Sequence, residues 1–369
     1  MANRIKEKYM AGKRYFDYPM LFLVIFLICF GLVMIYSTSS YKSPVTYGNS
    51  YHWLLRQAVA IVLGAVAMVV CCKLDYRIIK SEKFGNGCYW ASIVLLVLVL
   101  IIGAAKKGAV RWISIAGFQF QPSEVSKILV VIYLAKRLSA NAHKIRTFKD
   151  RIVIVLPIIA LIVTQNLSTA LVVCSMIGVM LFVVSPKMKE LMLTAGGGII
   201  LLFVYLLTAN SYRNERVQIW LHPESHKKGF QTMQALYAIG SGGIFGKGLG
   251  QSMQKMGFIP ESHNDMIFSI ICEELGLFGA VCLILVFVAL IFRMLLIALN
   301  TEDLFGSLIV IGFMTHIAIQ VFINIAVVTN TIPPTGIPLP FISYGGTSIL
   351  VVMIEMGIVL SISKKIHIR

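Results

Sequence analysis

The sequence predicts an all-α polytopic membrane protein of about ten transmembrane helices, with one large outer loop between the seventh and the eighth. Three observations predict it. Of 369 residues, 58% are hydrophobic and 13% are charged, and the mean hydropathy is +0.83. No soluble core could hide so much apolar surface, so the bilayer must be the solvent. The apolar residues are gathered into ten runs long enough, with their interfacial ends, to cross it. Finally, 21 of the 33 basic residues fall in the segments that would share one side of the membrane.

The first run, 20–36, follows a basic N-terminus and superficially resembles a signal peptide. It is long and no small-residue cleavage site closes it, so it reads as a retained first span. Runs at 54–72, 88–103, 123–138, 152–164, 167–185 and 190–208 supply spans two to seven. Residues 209–265 then form the large outer segment. It is too short and glycine-rich for a separate core, but long enough for a cap with amphipathic pieces, for example around Phe230 to Ile239. Runs at 266–292, 304–328 and 344–363 complete the chain, which is a single integral membrane domain, 1–369, with 209–265 as a loop within it.

Charge orients these spans. With both termini cytoplasmic, the inner side collects Arg4, Lys6, Lys8, Lys13 and Arg14, then Lys73, Arg77, Lys80 and Lys83, then the cluster from Lys136 to Arg151, and at the end Lys364, Lys365 and Arg369. The formal charge of +17 is therefore a topology signal and a contact with anionic head groups, and it excludes a nucleic-acid footprint. The seven cysteines lie mostly inside spans and lack metal-ligand spacing, which points to packing.

The chemistry concentrates where the outer segment meets the eighth span, in GSGGIFGKGLGQSMQKMGFIPESHNDMIFSIICEEL, Gly240 to Leu275. Asp265 is the last acid before the membrane begins. A carboxylate at that border is partly desolvated and can be tuned as a base by neighbours such as His263, Lys255 and Lys247, or can serve as a plain interfacial anchor. The glycine run resembles a phosphate cradle only loosely, because no strand precedes it. A second outer loop, Asn330 to Ser348 (NTIPPTGIPLPFISYGGTS), holds four prolines and the pair Gly345 and Gly346. Such a segment cannot run as regular helix and reads as a re-entrant or cavity-lining loop, with close backbone approach or positive φ expected at Gly346.

Charges also enter the spans. Glu124 and Lys127 stand three apart at the start of the fourth and can pair; an ionised group at mid-bilayer costs about 2.5 to 3.5 kcal/mol on insertion scales, so pairing or a polar cavity is expected. Glu273, Glu274 and Glu355 raise the same question. His316, Gln320 and Asn324 line one face of the ninth span, a stripe that suits either helix-to-helix hydrogen bonding or a substrate path.

QPSEVSK (121–127), GSGGIFGKGLG (240–250), IPESHNDMIFSIICEEL (259–275) and PTGIPLPFISYGGTS (334–348) resemble the signatures of the shape, elongation, division and sporulation family, which includes RodA, FtsW and SpoVE. The likeness covers almost the whole chain, and the opening DYPMLFLVIFLICFGLVMIYSTS looks more like the FtsW and SpoVE branch than like RodA. The resemblance implies a peptidoglycan glycosyltransferase that polymerises lipid II into undecaprenyl-linked glycan during division or sporulation. It puts the family's outer-loop aspartate on Asp265, with Asn264 where relatives often carry threonine, and the buried acid and base on Glu124 and Lys127. It also implies a class B penicillin-binding protein, a transpeptidase, as partner within a wider division complex.

The chemistry agrees. Lipid II already carries a diphosphate leaving group, so one base suffices for inverting transfer to a sugar hydroxyl, unlike the two-carboxylate hydrolases. The diphosphate charge needs cations, for which Arg213, Arg216, Lys247 and Lys255 are candidates, or a divalent ion such as Mg or Mn, although no metal-binding residues stand out. A lipid II flippase and a non-catalytic divisome scaffold are the rival readings. The clustering of motifs on the outer side around one acid, without an internal repeat, favours the enzyme.

Overall fold

The computed structural model describes residues 16–106, 109–115, 118–140, 156–185, 211–226 and 229–366. The expected seventh span, 190–208, and the basic segments before residue 16 and at 141–155 lie outside them. The described residues carry seven helices long and apolar enough to cross a membrane, and the chain is a multi-pass membrane protein. These are α1 (Tyr18–Ser39), α3 (His52–Lys73), α4 (Glu82–Ile102), α7 (Leu167–Val184), α10 (Ile267–Asn300), α11 (Leu304–Val328) and α12 (Gly346–Ser363). A short helix, α2 (Lys42–Tyr47), links the first two. The charged α5 (Pro122–Ala140) and the shorter α6 (Leu156–Gln165) stand where the fourth and fifth spans were expected. Two further helices, α8 (Ser211–Leu221) and α9 (Phe230–Ser241), form the segment before α10. The amphipathic piece expected around Phe230 is thus helical.

Local chemistry sets these ends. Asp17 caps α1, its carboxylate accepting from the Met20 amide, and also pairs with Arg293 of α10 at 2.6 Å. Buried as it is, that carboxylate closes the helix N-terminus and locks two spans together. Ser81 caps α4 through the Phe84 amide and Asn166 caps α7 through the Ser168 amide. Pro122 opens α5, where a missing N–H costs nothing.

Between α4 and α5 lies a small antiparallel sheet that the sequence pattern does not reveal, of strands β1 (Ala104–Lys106), β2 (Ala109–Ile115) and β3 (Phe118–Phe120) in the order β1-β2-β3. β1 and β3 have only three residues each, and the whole sheet is set between two strong apolar helical runs that dominate the pattern.

The core belongs to α11 and α12, where Phe305, Phe313, Ile317, Val351 and Met356 are fully buried. α12 packs along α3, α5 against α4, and α11 against α10, α7 and α5. α10 turns one face outward through Leu277, Phe278, Val281, Leu285, Val288 and Phe292, all exposed and all apolar, as a lipid-facing stripe requires.

α10 is not continuous. Gly276 sits at φ 67°, ψ −170°, and breaks the helix after its third turn. The groups freed by the break are paired by the glycine run: the Lys247 and Gly248 amides donate to the Glu273 and Glu274 carbonyls, and the Leu277 and Phe278 amides donate to the Gly243 and Ile244 carbonyls, all within 2.9–3.0 Å. Irregular backbone within a span needs this kind of internal satisfaction. The contact leaves no room for side chains: a Cβ on Gly246 would lie 2.2 Å from the Glu274 carbonyl oxygen, and one on Gly276 would lie 2.3 Å from the Gly246 nitrogen. The glycines are therefore a docking surface for a broken helix.

Candidate active site

Asp265 lies half-buried two residues before α10, at the end of the bundle where the N-termini of α3, α7, α10 and α12 meet the C-termini of α1 and α11. Three successive carbonyls hold it. That of His263 accepts from the Tyr344 amide at 2.9 Å, that of Asn264 from the Ser343 hydroxyl at 2.7 Å, and that of Asp265 from the Asn324 side-chain amide at 2.8 Å. The same Asn324 nitrogen donates to the Ile337 carbonyl, also at 2.8 Å. The aspartate segment and the proline-rich loop are consequently stitched to each other and to α11.

That loop is the structure's answer to four prolines at one bundle end. Its carbonyls are capped one by one from surrounding elements: Asn330 by the Trp220 indole (3.0 Å), Pro334 by Arg216 (3.0 Å), Thr335 by the Ser168 hydroxyl (3.2 Å) and Ile337 by Asn324. Phe341 adopts φ 64° and Gly336 φ 73°; a positive φ on a bulky residue stores strain that only a heavily tied segment sustains. A Cβ on Gly336 would stand 3.6 Å from Asp265 Oδ2, so the loop presents bare backbone to the carboxylate.

The expectations for Gly345 and Gly346 are corrected here. Gly345 is extended at φ 174°, a conformation any residue adopts, while Gly346 begins α12 and a methyl group there would make ordinary contact with Ala60 at 3.8 Å. The glycine that needs its freedom is Gly336.

The proposed cation set is redrawn as well. Lys255 is buried, its ammonium 2.9 Å from Glu274 Oε1 and 3.0 Å from Ser37 Oγ, so it has no face to offer a diphosphate. Lys247 is engaged by Glu273 at 2.7 Å and by Ser241 Oγ at 2.9 Å, with a third of its side chain exposed. Arg216 serves the Pro334 carbonyl, and the side chain of Arg213 lies outside the described residues. Glu273 and Glu274, fully buried, are the staples behind this arrangement. Glu273 accepts from Lys247, the Ser252 hydroxyl and the Met253 and Gln254 amides, and Glu274 from Ser37, Lys255 and the Ser252 amide. Buried carboxylates at this depth are tolerated because each is paired and hydrogen-bonded.

His263 is not a cation. It packs against Trp53 (ring centroids 4.7 Å apart) and Tyr344 (5.6 Å), and burial, with the Lys42 ammonium in second place and Glu261 opposing, lowers its imidazole to about 4. Asn264 donates to Glu261 Oε2 at 3.3 Å.

Two cations that sequence reading missed border this region. Lys42 donates to the Pro260 carbonyl, and exposed Arg56 hydrogen-bonds Tyr344, next to Gln57, which accepts from the Gly345 amide at 3.2 Å. Nothing in the sequence marks them, since both follow short turns far from the glycine and aspartate motifs. Among the described residues no three His, Cys, Asp or Glu side chains gather as metal ligands.

Deeper in the bundle, Glu124 and Lys127 pair at 2.9 Å with both side chains buried, as their spacing suggested. His316 Nδ1 meets both oxygens of Glu355 at 2.9 Å, and the two pairs are near enough for Lys127 and Glu124 to act on His316 and Glu355. The polar stripe of α11 thus serves different ends: His316 ties α11 to α12, and Asn324 serves the loop and the aspartate.

Comparison with known proteins bears on this architecture. A family model described as cell cycle protein, FtsW/RodA/SpoVE, matches residues 18–367. The chain belongs to this family. It is 36% identical to a probable peptidoglycan glycosyltransferase FtsW from Geobacter metallireducens, covering 95% of each chain. It is 37% identical to stage V sporulation protein E from Bacillus subtilis, covering 94% of this chain and 97% of that one. Among solved structures, it superposes with TM-score 0.80 at 28% identity on a chain described under structural coordination of polymerization and crosslinking by a peptidoglycan synthase complex, covering 94% and 97%. Rod shape determining protein RodA of Thermus thermophilus gives 0.72 at 27%, covering 96% and 98%.

Proposed function

We propose that this FtsW/RodA/SpoVE-family chain is a peptidoglycan glycosyltransferase that polymerises lipid II, with Asp265 as general base. The observation that carries the reading is the setting of that residue, its backbone held through the consecutive carbonyls of residues 263–265 and its carboxylate facing the bare backbone of Gly336. In the reaction, the C4 hydroxyl oxygen of the acceptor sugar attacks the anomeric carbon of the donor. The bond from that carbon to the diphosphate oxygen breaks with inversion, undecaprenyl diphosphate departs, and the hydroxyl proton passes to Asp265. Preorganisation suits this role, since a base held in place loses no time or free energy to reorientation. Among the described residues, exposed Arg56 is a candidate to meet the diphosphate, with Lys42, held on the Pro260 carbonyl, beside it, and a divalent ion carried with the phosphates would supply further charge.

The end of the bundle bearing Asp265 faces outward in this reading, which is supported by Lys73, Lys136, Arg293 and Lys364 lying toward the opposite ends of their helices, and by Arg77 and Lys80 in the connection between α3 and α4. Both termini are then cytoplasmic. A family model described as cell cycle protein and a relative named for sporulation support action at the septum or spore wall, with a class B penicillin-binding protein and other division proteins as partners.

The test is polymerisation of labelled lipid II by purified protein in detergent, where translocation has no meaning. Glycan chains are expected from the native protein, and Asp265→Asn should lower their rate at least about a hundredfold. Near-normal synthesis by folded Asp265→Asn protein would defeat the assignment of the base. Absence of glycan from active preparations with their partner present would defeat the enzyme reading in favour of a flippase or scaffold.

A further inference from the structure

We infer that Asn324 is a positioning residue, acting through Asp265 and resting on the reading of Asp265 as the base. Its buried side-chain nitrogen spends both hydrogens on carbonyls 72 positions of sequence apart, those of Asp265 and Ile337, each at 2.8 Å. Ser343 Oγ also bonds both the aspartate segment and the loop whose Gly336 faces the carboxylate, donating to the Asn264 carbonyl and accepting from the Leu339 amide, but it belongs to the loop itself, whereas Asn324 reaches both from a span. One planar amide projecting from α11 therefore fixes the Asp265 and Ile337 carbonyls relative to each other.

The amide is suited to this. Two N–H bonds fixed about 120° apart in one plane hold two acceptors at a set separation, which a hydroxyl with one hydrogen cannot do. α11 is the right place for it, because this helix is the most deeply packed of the spans and is anchored further along by His316 on Glu355. The other two ties, from Ser343 and Tyr344, run from the loop itself and would let loop and aspartate move together, whereas Asn324 refers both to the packed α11.

Asn324→Leu and Asn324→Asp remove the donors, and Asn324→Gln keeps them on a longer arm. For the leucine variant kcat should fall at least about tenfold, since a displacement near 1 Å is enough for losses of that order. KM for lipid II should hold, and glutamine should restore part of the rate. In an Asp265→Asn background, Asn324→Leu should cost nothing further. Independently of activity, a cysteine at position 265 should react with a membrane-impermeant thiol reagent at a changed rate when Asn324 is leucine, while a cysteine at Ser225 reacts as before. Unchanged kcat with unchanged labelling overturns the inference, as does an equal loss in both backgrounds, which marks a general structural role. If Asp265→Asn proves active while labelling at 265 still responds to Asn324→Leu, the base assignment fails and the positioning stands.

Discussion

Gly246 and Gly276 meet backbone to backbone, so closely that the nitrogen of the first occupies the space where a Cβ on the second would point, 2.3 Å away. This contact joins the glycine run to the break in α10, and through Glu273 and Glu274 it brings the 247–256 segment into register ahead of Asp265.

Alanine at Gly276 must therefore move backbone and also occupy φ 67°. Destabilisation of at least about 2 kcal/mol is expected from the strained dihedral and clash together. Gly240→Ala, where nothing lies within 4 Å of an added Cβ, serves as the control and should unfold like the native protein. Thermal unfolding in detergent checks both.

Lys255 and Glu274 form a buried pair, so removing one charge should harm more than neutralising both. Lys255→Met leaves Glu274 without its cation and should cost about 3 to 5 kcal/mol, while Lys255→Met with Glu274→Gln should recover much of that loss. KM for lipid II should be the same in the double variant as in the native protein, which a phosphate-binding lysine would not allow. The pair Glu124 and Lys127 should show the same non-additivity in denaturation of single and double variants.

Gly336 and Gly346 should separate cleanly. Gly336→Ala forces a side chain into φ 73°, at about 1 to 2 kcal/mol, and sets a methyl group 3.6 Å from the Asp265 carboxylate; polymerisation should drop. Gly346→Ala fits its space and should leave the rate alone. Side-by-side rates of glycan synthesis decide this.

His263 links stability to pH. Its imidazole titrates near 4 in the folded protein and near 6.5 when unfolded, so between those values the unfolded chain binds a proton that the folded chain does not. Stability contributed by the neutral ring is complete above pH 6.5 and is lost as the pH falls toward 4, by up to about 3 kcal/mol. His263→Phe should flatten that slope in unfolding measured from pH 7 to pH 4, while a slope identical to the native one assigns the effect to other groups.

Much of this molecule is legible one residue after another. Lipid offers the backbone no hydrogen bonds, so every crossing must be a long apolar run, and nine of the ten expected runs fall on described helices because that constraint is local. The Glu124–Lys127 pair was visible for the same reason, since a spacing of three fixes its geometry on any helix. Asp265 stood out by its place at a membrane border. What the sequence could not assign was the partner of each remaining polar group. Lys255 looked like a surface cation until Glu274 and Ser37 closed around it, and Asn324 looked like one member of a helical stripe until the loop folded back upon it. Glycines that loosely resembled a phosphate cradle proved to be the mould for a broken helix. Each of these depends on chain segments distant in sequence arriving at one point, and only tertiary packing determines which donor reaches which acceptor there.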